Sequence, residues 1–244
     1  MSERPMHTVP GMFERLVALY AEGERALAEN RLGDADAAFT EAIGLDDHFR
    51  QRWITSYAQR AFCRHRMGRL EEAIADYGAA LAMNEPPPHQ AQVHFQQGMA
   101  LAALGRTDEA LAAYAASIEL APDQPGPRHL RGKLTSETDP AAALADFDHF
   151  LRVADHPEVR QLRAFCHLQL GRPDAALPDL QRAPDVAWTH YLRAWACAAT
   201  GDLDGCVGAM ADTVARDASF ARYFHELDDY AAARRHPGFA AAVG

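Results

Sequence analysis

The residues of this sequence that could carry out acid–base or metal chemistry include twelve histidines and the carboxylate pair Asp146 and Asp148. The histidines form no HExxH motif, and His225-Glu226 lacks the second histidine that a zincin-type metal site requires. Two residues apart on a helix, Asp146 and Asp148 do not face each other, which favours a solvated helix face over a shared acid–base site. The sequence therefore predicts no catalytic residue and no metal site.

Cysteine and glycine spacing argues equally against redox and phosphate-binding sites. The four cysteines, Cys63, Cys166, Cys197 and Cys206, form no CxxC pair, so we expect buried, small apolar groups in a reducing compartment. No glycine falls in a GxGxxG or Walker pattern that could cradle a phosphate. We therefore expect a protein that is not an enzyme and needs no cofactor.

Composition favours a helical protein outside the membrane. Alanine makes up about a fifth of the residues, far above average usage, while strand-favouring valine, isoleucine and threonine are sparse. No apolar run is long enough to span a bilayer, and Met1–His7 lacks the apolar core of a signal peptide, so we expect a cytoplasmic location. The formal net charge of -10 argues against a general nucleic-acid binder. Basic charge is almost all arginine, which is typical of a GC-rich bacterial genome.

A pattern of small and apolar residues recurs about every 34 residues. It is clearest at Gly98, Gly105, Ala110, Tyr114 and Pro122. Small residues at such positions suit the crossing of two helices, whose axes approach to about 8–10 Å. The pattern fits the segments 16–49, 54–87, 91–124, 125–156, 157–186 and 187–220 to differing degrees.

The pattern resembles that of tetratricopeptide repeats over nearly the whole chain. The resemblance implies an all-α fold, a right-handed α-solenoid of about six helix pairs with a C-terminal capping helix and no single central core. The implied organisation is a flexible N-terminus at 1–11, a superhelix at 12–218 and a capping segment at 219–244. Open solenoid ends expose apolar surface, so a covering segment after the last repeat is physically required.

Prolines mark three departures from a regular array. Pro178 lies inside the predicted fifth B helix, which should therefore be short and kinked or begin late. Asp139 and Pro140 predict an N-cap and a first-turn residue. The segment 84–89, with three prolines, predicts a fixed extended spacer.

The resemblance also implies a concave groove lined by one face of the A helix, the first helix of each pair. The predicted peptide-binding residues on or beside that face are Tyr20, Gln59, Phe62, Arg66, Gln92, Phe95, Gln96, Met99, His129, Lys133, Gln161, Phe165, Trp188, Tyr191 and Trp195. Aromatic rings offer contact area to a peptide and glutamines satisfy its backbone. The expected function is thus that of a non-catalytic adaptor or regulator that binds a segment of another protein. Several of these rings could instead pack between adjacent A helices.

Two other sites compete with the groove. Trp188, Tyr191 and Trp195 could form an aromatic pocket of a ligand-sensing or enzyme-accessory protein. Arg60 and Arg64 share a helix face and could bind an acidic segment or RNA, although pairing with acids of neighbouring helices such as Glu71 and Glu72 is the simpler interpretation. The sequence leaves self-association open.

Overall fold

The computed structural model describes residues 11–49, 54–83 and 86–244, and every regular element in these ranges is a helix. The helices are α1 (Met12–Ala28), α2 (Leu32–Phe49), α3 (Ile54–Arg66), α4 (Leu70–Leu81), α5 (Pro87–Ala103), α6 (Thr107–Leu120), α7 (Pro125–Thr135), α8 (Pro140–Val153), α9 (Pro157–Gln169), α10 (Pro173–Leu180), α11 (Ala187–Thr200), α12 (Leu203–Arg216), α13 (Ala221–Glu226) and α14 (Phe239–Val243). Short 3₁₀ turns flank α13. The predicted all-α class is confirmed. The predicted flexible N-terminus, apart from Gly11, lies outside the described residues.

The chain forms two compact units, Met1–Pro127 and Arg128–Gly244. In the first unit α1 packs on α2, α3 on α4 and α5 on α6, and each pair contacts the next. In the second unit α9 packs on α10 and α11 on α12, while α8 contacts α9 and α10 contacts α11. Consecutive helices joined by short turns run antiparallel, so both units are built from helix pairs in sequence order. The division into an array at 12–218 and a cap at 219–244 stays a prediction.

Within a pair, a small residue of the first helix lies directly against a large ring of the second. A Cβ atom added to Gly98 in α5 would lie 2.6 Å from the Tyr114 ring in α6. Gly132 stands in the same relation to Phe147, at 2.8 Å. Real Cβ atoms do not approach a ring so closely, so these positions hold the two helices at a distance that only glycine allows. The predicted crossing position is confirmed.

The turn between the two helices of a pair also lies where the sequence predicts it. Asn30, Gly68, Gly105, Gly171 and Gly201 each adopt a left-handed backbone conformation, with φ between 59° and 80°. Glycine enters this region without steric cost, and asparagine is among the residues that tolerate it best. The residue predicted at the turn of each of these repeats therefore reverses the chain between the A and B helices.

The prolines lie at helix starts more often than the sequence predicts. Asp139 caps α8, its carboxylate accepting a hydrogen bond from the Ala142 amide at 3.0 Å, and Pro140 opens the helix as predicted. Pro178 lies in α10, which is short, as expected. The prediction of an extended spacer at 84–89 is wrong in part, because Pro87 and Pro88 form the first turn of α5. A backbone N–H in the first turn has no partner within the helix, so proline is tolerated there. Residues 84–85 lie outside the described residues.

Buried arginine–aspartate pairs join the two helices of several pairs. Asp146 is 2% exposed and accepts two hydrogen bonds from Arg131, each of 2.8 Å, so its predicted solvated position is wrong. Asp76 accepts from Arg60 and Arg64 at 2.6 Å and 2.8 Å. The arginines of α3 thus pair with acids of neighbouring helices, although Asp76 and Asp36 contribute more than the predicted Glu71 and Glu72.

The C-terminal segment covers the apolar side of α12. Val207 and Met210 of α12 belong to one buried cluster with Phe224, Tyr230 and Phe239. Other members of this cluster are Ala194, Cys206, Ala209, Ala233 and Val243. This contact supplies the covering surface that an open repeat end requires.

Replacing Asp179 by alanine should destabilise the protein far more than replacing Asp148, although both carboxylates bind Arg163. Asp179 is 1% exposed and also accepts from Arg160, whereas Asp148 is half exposed. Breaking a buried pair leaves desolvated charge, so we expect a loss of about 3 kcal/mol in the free energy of unfolding for Asp179→Ala. The exposed pair should contribute less than about 1 kcal/mol. Urea unfolding of the two variants, followed by circular dichroism, measures the difference; equal losses would contradict the assignment.

Deleting Phe220–Gly244 should expose Val207 and Met210 and lead to aggregation or a markedly lower melting temperature. Size-exclusion chromatography and thermal unfolding measure both effects. Phe224→Ala tests the same contact without removing chain, and should cost about 3–5 kcal/mol of unfolding free energy as a large buried ring is lost. A truncated protein that stays monomeric and equally heat-stable would show that the cap is dispensable.

Candidate functional site

Residues of α3, α4 and α5 form one pocket in the first unit, with a volume of about 410 Å³. We name it the first-unit pocket, and its lining residues are Ala58, Gln59, Phe62, Tyr77, His89, Gln92, Val93 and Gln96. The α5 members follow a spacing of three and four residues, which places them on one helix face. Of the residues predicted from the sequence, the structure brings together Gln59, Phe62, Gln92 and Gln96 in this pocket.

A tyrosine hydroxyl at the buried end of this pocket has no hydrogen-bond partner. Tyr77 is 1% exposed, and its hydroxyl contacts no donor or acceptor among the described residues. A buried polar group without a partner costs about 1–3 kcal/mol, and native proteins rarely retain one without a reason. Burial also raises the pKa of Tyr77 above its ordinary value, so the hydroxyl keeps its proton. Tyr77 thus lines the pocket with the hydrogen-bonding capacity of its hydroxyl unused.

The amides around Tyr77 differ in what they already bind. Gln59 donates to a Glu24 carboxylate oxygen at 2.7 Å, so one of its two N–H groups is occupied. Gln92 is exposed and Gln96 is half-buried, and neither makes a hydrogen bond to another described side chain. The Phe62 ring lies beneath the Arg66 guanidinium, whose Cζ atom is 5.9 Å from the ring centre. The pocket therefore combines an apolar wall with polar groups that can both donate and accept.

The other predicted residues of the first unit lie outside this pocket. Tyr20 is half-buried with its ring 5.8 Å from that of Phe39. Phe95 is half-buried, 6.1 Å from the Tyr114 ring, and a Cβ on Gly126 would lie 3.0 Å from it. Two further assignments complete the set: Arg66 is exposed and donates to Asn30 at 2.8 Å, and Met99 is half-buried on α5. Phe95 is thus partly a packing residue.

The second unit holds a different pocket, of about 470 Å³, which we name the aromatic pocket. Its lining residues are Phe165, Trp188, Tyr191, Trp195, Ser219, Phe220 and Tyr223. The four predicted rings come from α9 and α11, and the remaining three residues belong to the C-terminal segment. The sequence analysis missed the contribution of Phe220 and Tyr223, although the aromatic spacing Phe220, Tyr223, Phe224 was a readable signal of a helix face.

The remaining predicted residues of the second unit are engaged elsewhere. Gln161 donates to the Thr189 hydroxyl at 2.6 Å. His129 lies 5.4 Å from Phe150 and 6.1 Å from the His156 ring. Burial, together with His156 and the exposed Lys133, lowers the pKa of His129. A neutral His129 thus packs against rings rather than presenting a charge.

The geometry offers no constellation for metal chemistry in the described ranges. No group of three or more histidine, cysteine, aspartate or glutamate side chains there is arranged to hold a metal ion. Within the same ranges, no helix is both long enough and apolar enough to cross a membrane.

Comparison with known proteins identifies the repeat. The family model described as "Tetratricopeptide repeat" matches residues 66–125, which include α4, α5 and α6. Residues 66–125 of this chain thus match the tetratricopeptide repeat. No curated protein matches the sequence, so the remaining comparisons are structural.

Solved structures, two of them described as tetratricopeptide repeat (TPR) proteins, share the fold at low sequence identity. The C-terminal part of a TPR repeat-containing protein from Cytophaga hutchinsonii superposes with a TM-score of 0.68 at 14% identity, covering 91% of this chain and 92% of that one. The pilF protein of Pseudomonas aeruginosa gives 0.64 at 18% identity, covering 92% and 98%. A TPR protein from Parabacteroides merdae gives 0.53 at 15% identity, covering 84% and 94%. These likenesses show the fold of this chain.

Replacing Tyr77 by phenylalanine should raise the free energy of unfolding by up to about 1 kcal/mol, because it removes a buried hydroxyl that has no partner. Tyr114→Phe, at the equivalent position of the next helix pair, is the matched control. Urea unfolding of the unliganded protein makes the comparison. If Tyr77→Phe destabilises the protein more than Tyr114→Phe does, the hydroxyl has a partner and is not available to a ligand.

Proposed function

We propose that this chain is a non-catalytic adaptor that binds a peptide segment of a partner protein, and that the first-unit pocket receives that segment. The observation that carries the proposal is the unpaired Tyr77 hydroxyl, which is buried at a pocket lined by Phe62 and by glutamine amides. A hydrogen bond formed to this hydroxyl on binding would remove the cost of leaving it without a partner.

The chemistry of the lining favours a peptide backbone over a charged ligand. None of the lining residues is an aspartate, glutamate, lysine or arginine. An extended peptide presents N–H and C=O groups without partners, and the amides of Gln92 and Gln96 complement both. An apolar side chain of the peptide packs on Phe62 and Val93, which supplies the desolvated contact that dominates binding energy in interfaces.

The arginines of α3 are less suited to be the binding surface. Arg64 donates to Asp36 and Asp76, each at 2.8 Å, and Arg60 is held by Asp76. Binding a phosphate or an acidic segment would require breaking these pairs, and removing one partner of a buried pair is costly. RNA or an acidic peptide is therefore disfavoured at this helix.

A ligand-sensing or enzyme-accessory role is the second candidate function, and the aromatic pocket favours it. The C-terminal segment adds Phe220 and Tyr223 to the rings of α9 and α11, so the lining is almost wholly aromatic. Its volume of about 470 Å³ falls in the range of about 300–1,000 Å³ that is typical of ligand sites.

A photo-crosslinking amino acid placed at Gln92 should capture the partner. Gln92 is exposed and lines the pocket, and Glu119, exposed on α6 and remote from the pocket lining, is the matched control position. Mass spectrometry of the captured protein identifies the crosslinked segment, which is then synthesised and labelled for fluorescence anisotropy. Phe62→Ala should weaken binding of this peptide about tenfold, since a buried interface ring commonly contributes more than about 1 kcal/mol. Tyr77→Phe should weaken it as well, while leaving the protein folded.

Two outcomes would overturn the proposal. One is capture of the same segment with equal yield from Gln92 and Glu119. The other is a synthetic peptide whose affinity survives Phe62→Ala and collapses when Arg60 and Arg64 are neutralised, which would move the site to the arginine-rich face of α3.

A further inference from the structure

The rings of the aromatic pocket enclose space from several directions. Trp188 and Tyr191 are stacked, with centroids 5.2 Å apart and planes at 14°. Phe165 meets Trp188 at 58°, and Phe220 meets Tyr191 at 50°. The stacking covers one face of Trp188 and one face of Tyr191, and the tilted rings pack around this pair. Trp188 is 36% exposed, so one wall is open to solvent.

The electrostatic character of the aromatic pocket favours a cation. The face of an aromatic ring carries the negative end of its quadrupole, and tryptophan attracts a cation most strongly. None of the lining residues is charged. Tyr223 shows the attraction locally, because the Arg222 guanidinium lies over its ring at 4.7 Å.

Carboxylates of the C-terminal segment add negative charge at the edge of the pocket. Glu226, Asp228 and Asp229 are exposed and form no ion pair with another described residue. The Asp229 carboxylate is close enough to act on Tyr191: burial raises the pKa of that phenol, and Asp229 adds to the increase. Arg222 is the opposing charge, and it lies near Glu226. Arg234 and Arg235 are further arginines of this segment, and Arg234 donates to the Phe224 and Leu227 carbonyl oxygens. It is therefore Asp229, through its effect on Tyr191, that favours a positively charged occupant.

We propose that the aromatic pocket binds an organic cation, a quaternary ammonium group held against the rings of Trp188, Tyr191 and Trp195. Such a group cannot donate a conventional hydrogen bond and is only weakly hydrated by comparison with a primary ammonium, so ring faces replace its water at low cost. This assigns a ligand class to the second candidate function and is independent of peptide binding in the first unit.

Choline and its neutral isostere 3,3-dimethylbutan-1-ol form a matched pair of probes, because they share shape and differ in charge. Isothermal titration calorimetry with the full chain should show choline binding about tenfold more tightly, the contribution expected of a desolvated cation–π site. Equal affinity for the two probes would overturn the proposal, since burial of apolar area alone would then explain binding. Absence of choline binding would overturn it as well.

Variants then locate the site. Trp188→Leu removes a partly exposed ring and should weaken choline binding about fivefold or more, whereas Phe62→Leu in the first-unit pocket should leave it unchanged. Asp229→Asn should weaken binding a further few-fold and Arg222→Gln should strengthen it, with both effects reduced by salt. Circular dichroism confirms that each variant is folded. If Arg222→Gln and Asp229→Asn shift affinity in the same direction, the charge argument fails.

A final comparison identifies the source of the quaternary ammonium group. A short neutral peptide containing trimethyl-lysine is titrated beside free choline, and a hexaproline peptide serves as the neutral aromatic-binding control. Tighter binding of the trimethyl-lysine peptide would place the cation on a protein, and tighter binding of choline would place it on a small molecule; either supports the proposal. Preference for hexaproline over both cations would overturn it.

Discussion

The close approach of the two helices in each pair is the constraint on which the other features of this molecule depend. At Gly98 and Gly132 a single added carbon would collide with the ring of the facing helix. Each crossing joins residues about sixteen apart in the sequence, so it is a local contact that fixes the geometry of the pair. Phe62 and Gln92 lie at other positions of their A helices, where they line the first-unit pocket.

Buried arginine–aspartate pairs add directionality to these crossings. Asp76, Asp146 and Asp179 each precede the large crossing residue of the B helix, and each binds an arginine fifteen or sixteen residues earlier in the chain. Replacing such pairs by apolar residues is often neutral or stabilising, so their value lies in register: a helix that slips by one residue leaves a desolvated charge unpaired. The planar guanidinium can bind both carboxylate oxygens at once, which explains why arginine serves here and why these charges are not available to a partner.

Turns and helix caps could be predicted from the sequence because they depend on neighbouring residues. The burial and the hydrogen-bond partners of the site residues could not, because they depend on other helices. The left-handed turn at Asn30 and the cap at Asp139 depend on residues a few positions apart, so the sequence alone indicates them. Asp146 was misjudged because its spacing from Asp148 describes one helix, while its burial depends on Arg131 of another. Tyr77 was recognised as a crossing residue from its position in the repeat, but nothing in the sequence indicates that its hydroxyl lacks a partner.

The difference between the two pockets follows from what closes each of them. The first-unit pocket lies against a second A helix of the repeat, α5, whose exposed face carries the glutamines that suit a peptide. At α11 and α12 the C-terminal segment supplies the covering residues. The residues of that segment do not follow the repeat pattern. Its Phe220 and Tyr223 line the pocket together with the rings of α9 and α11. The segment that covers the apolar side of α12 therefore also contributes residues to the aromatic pocket.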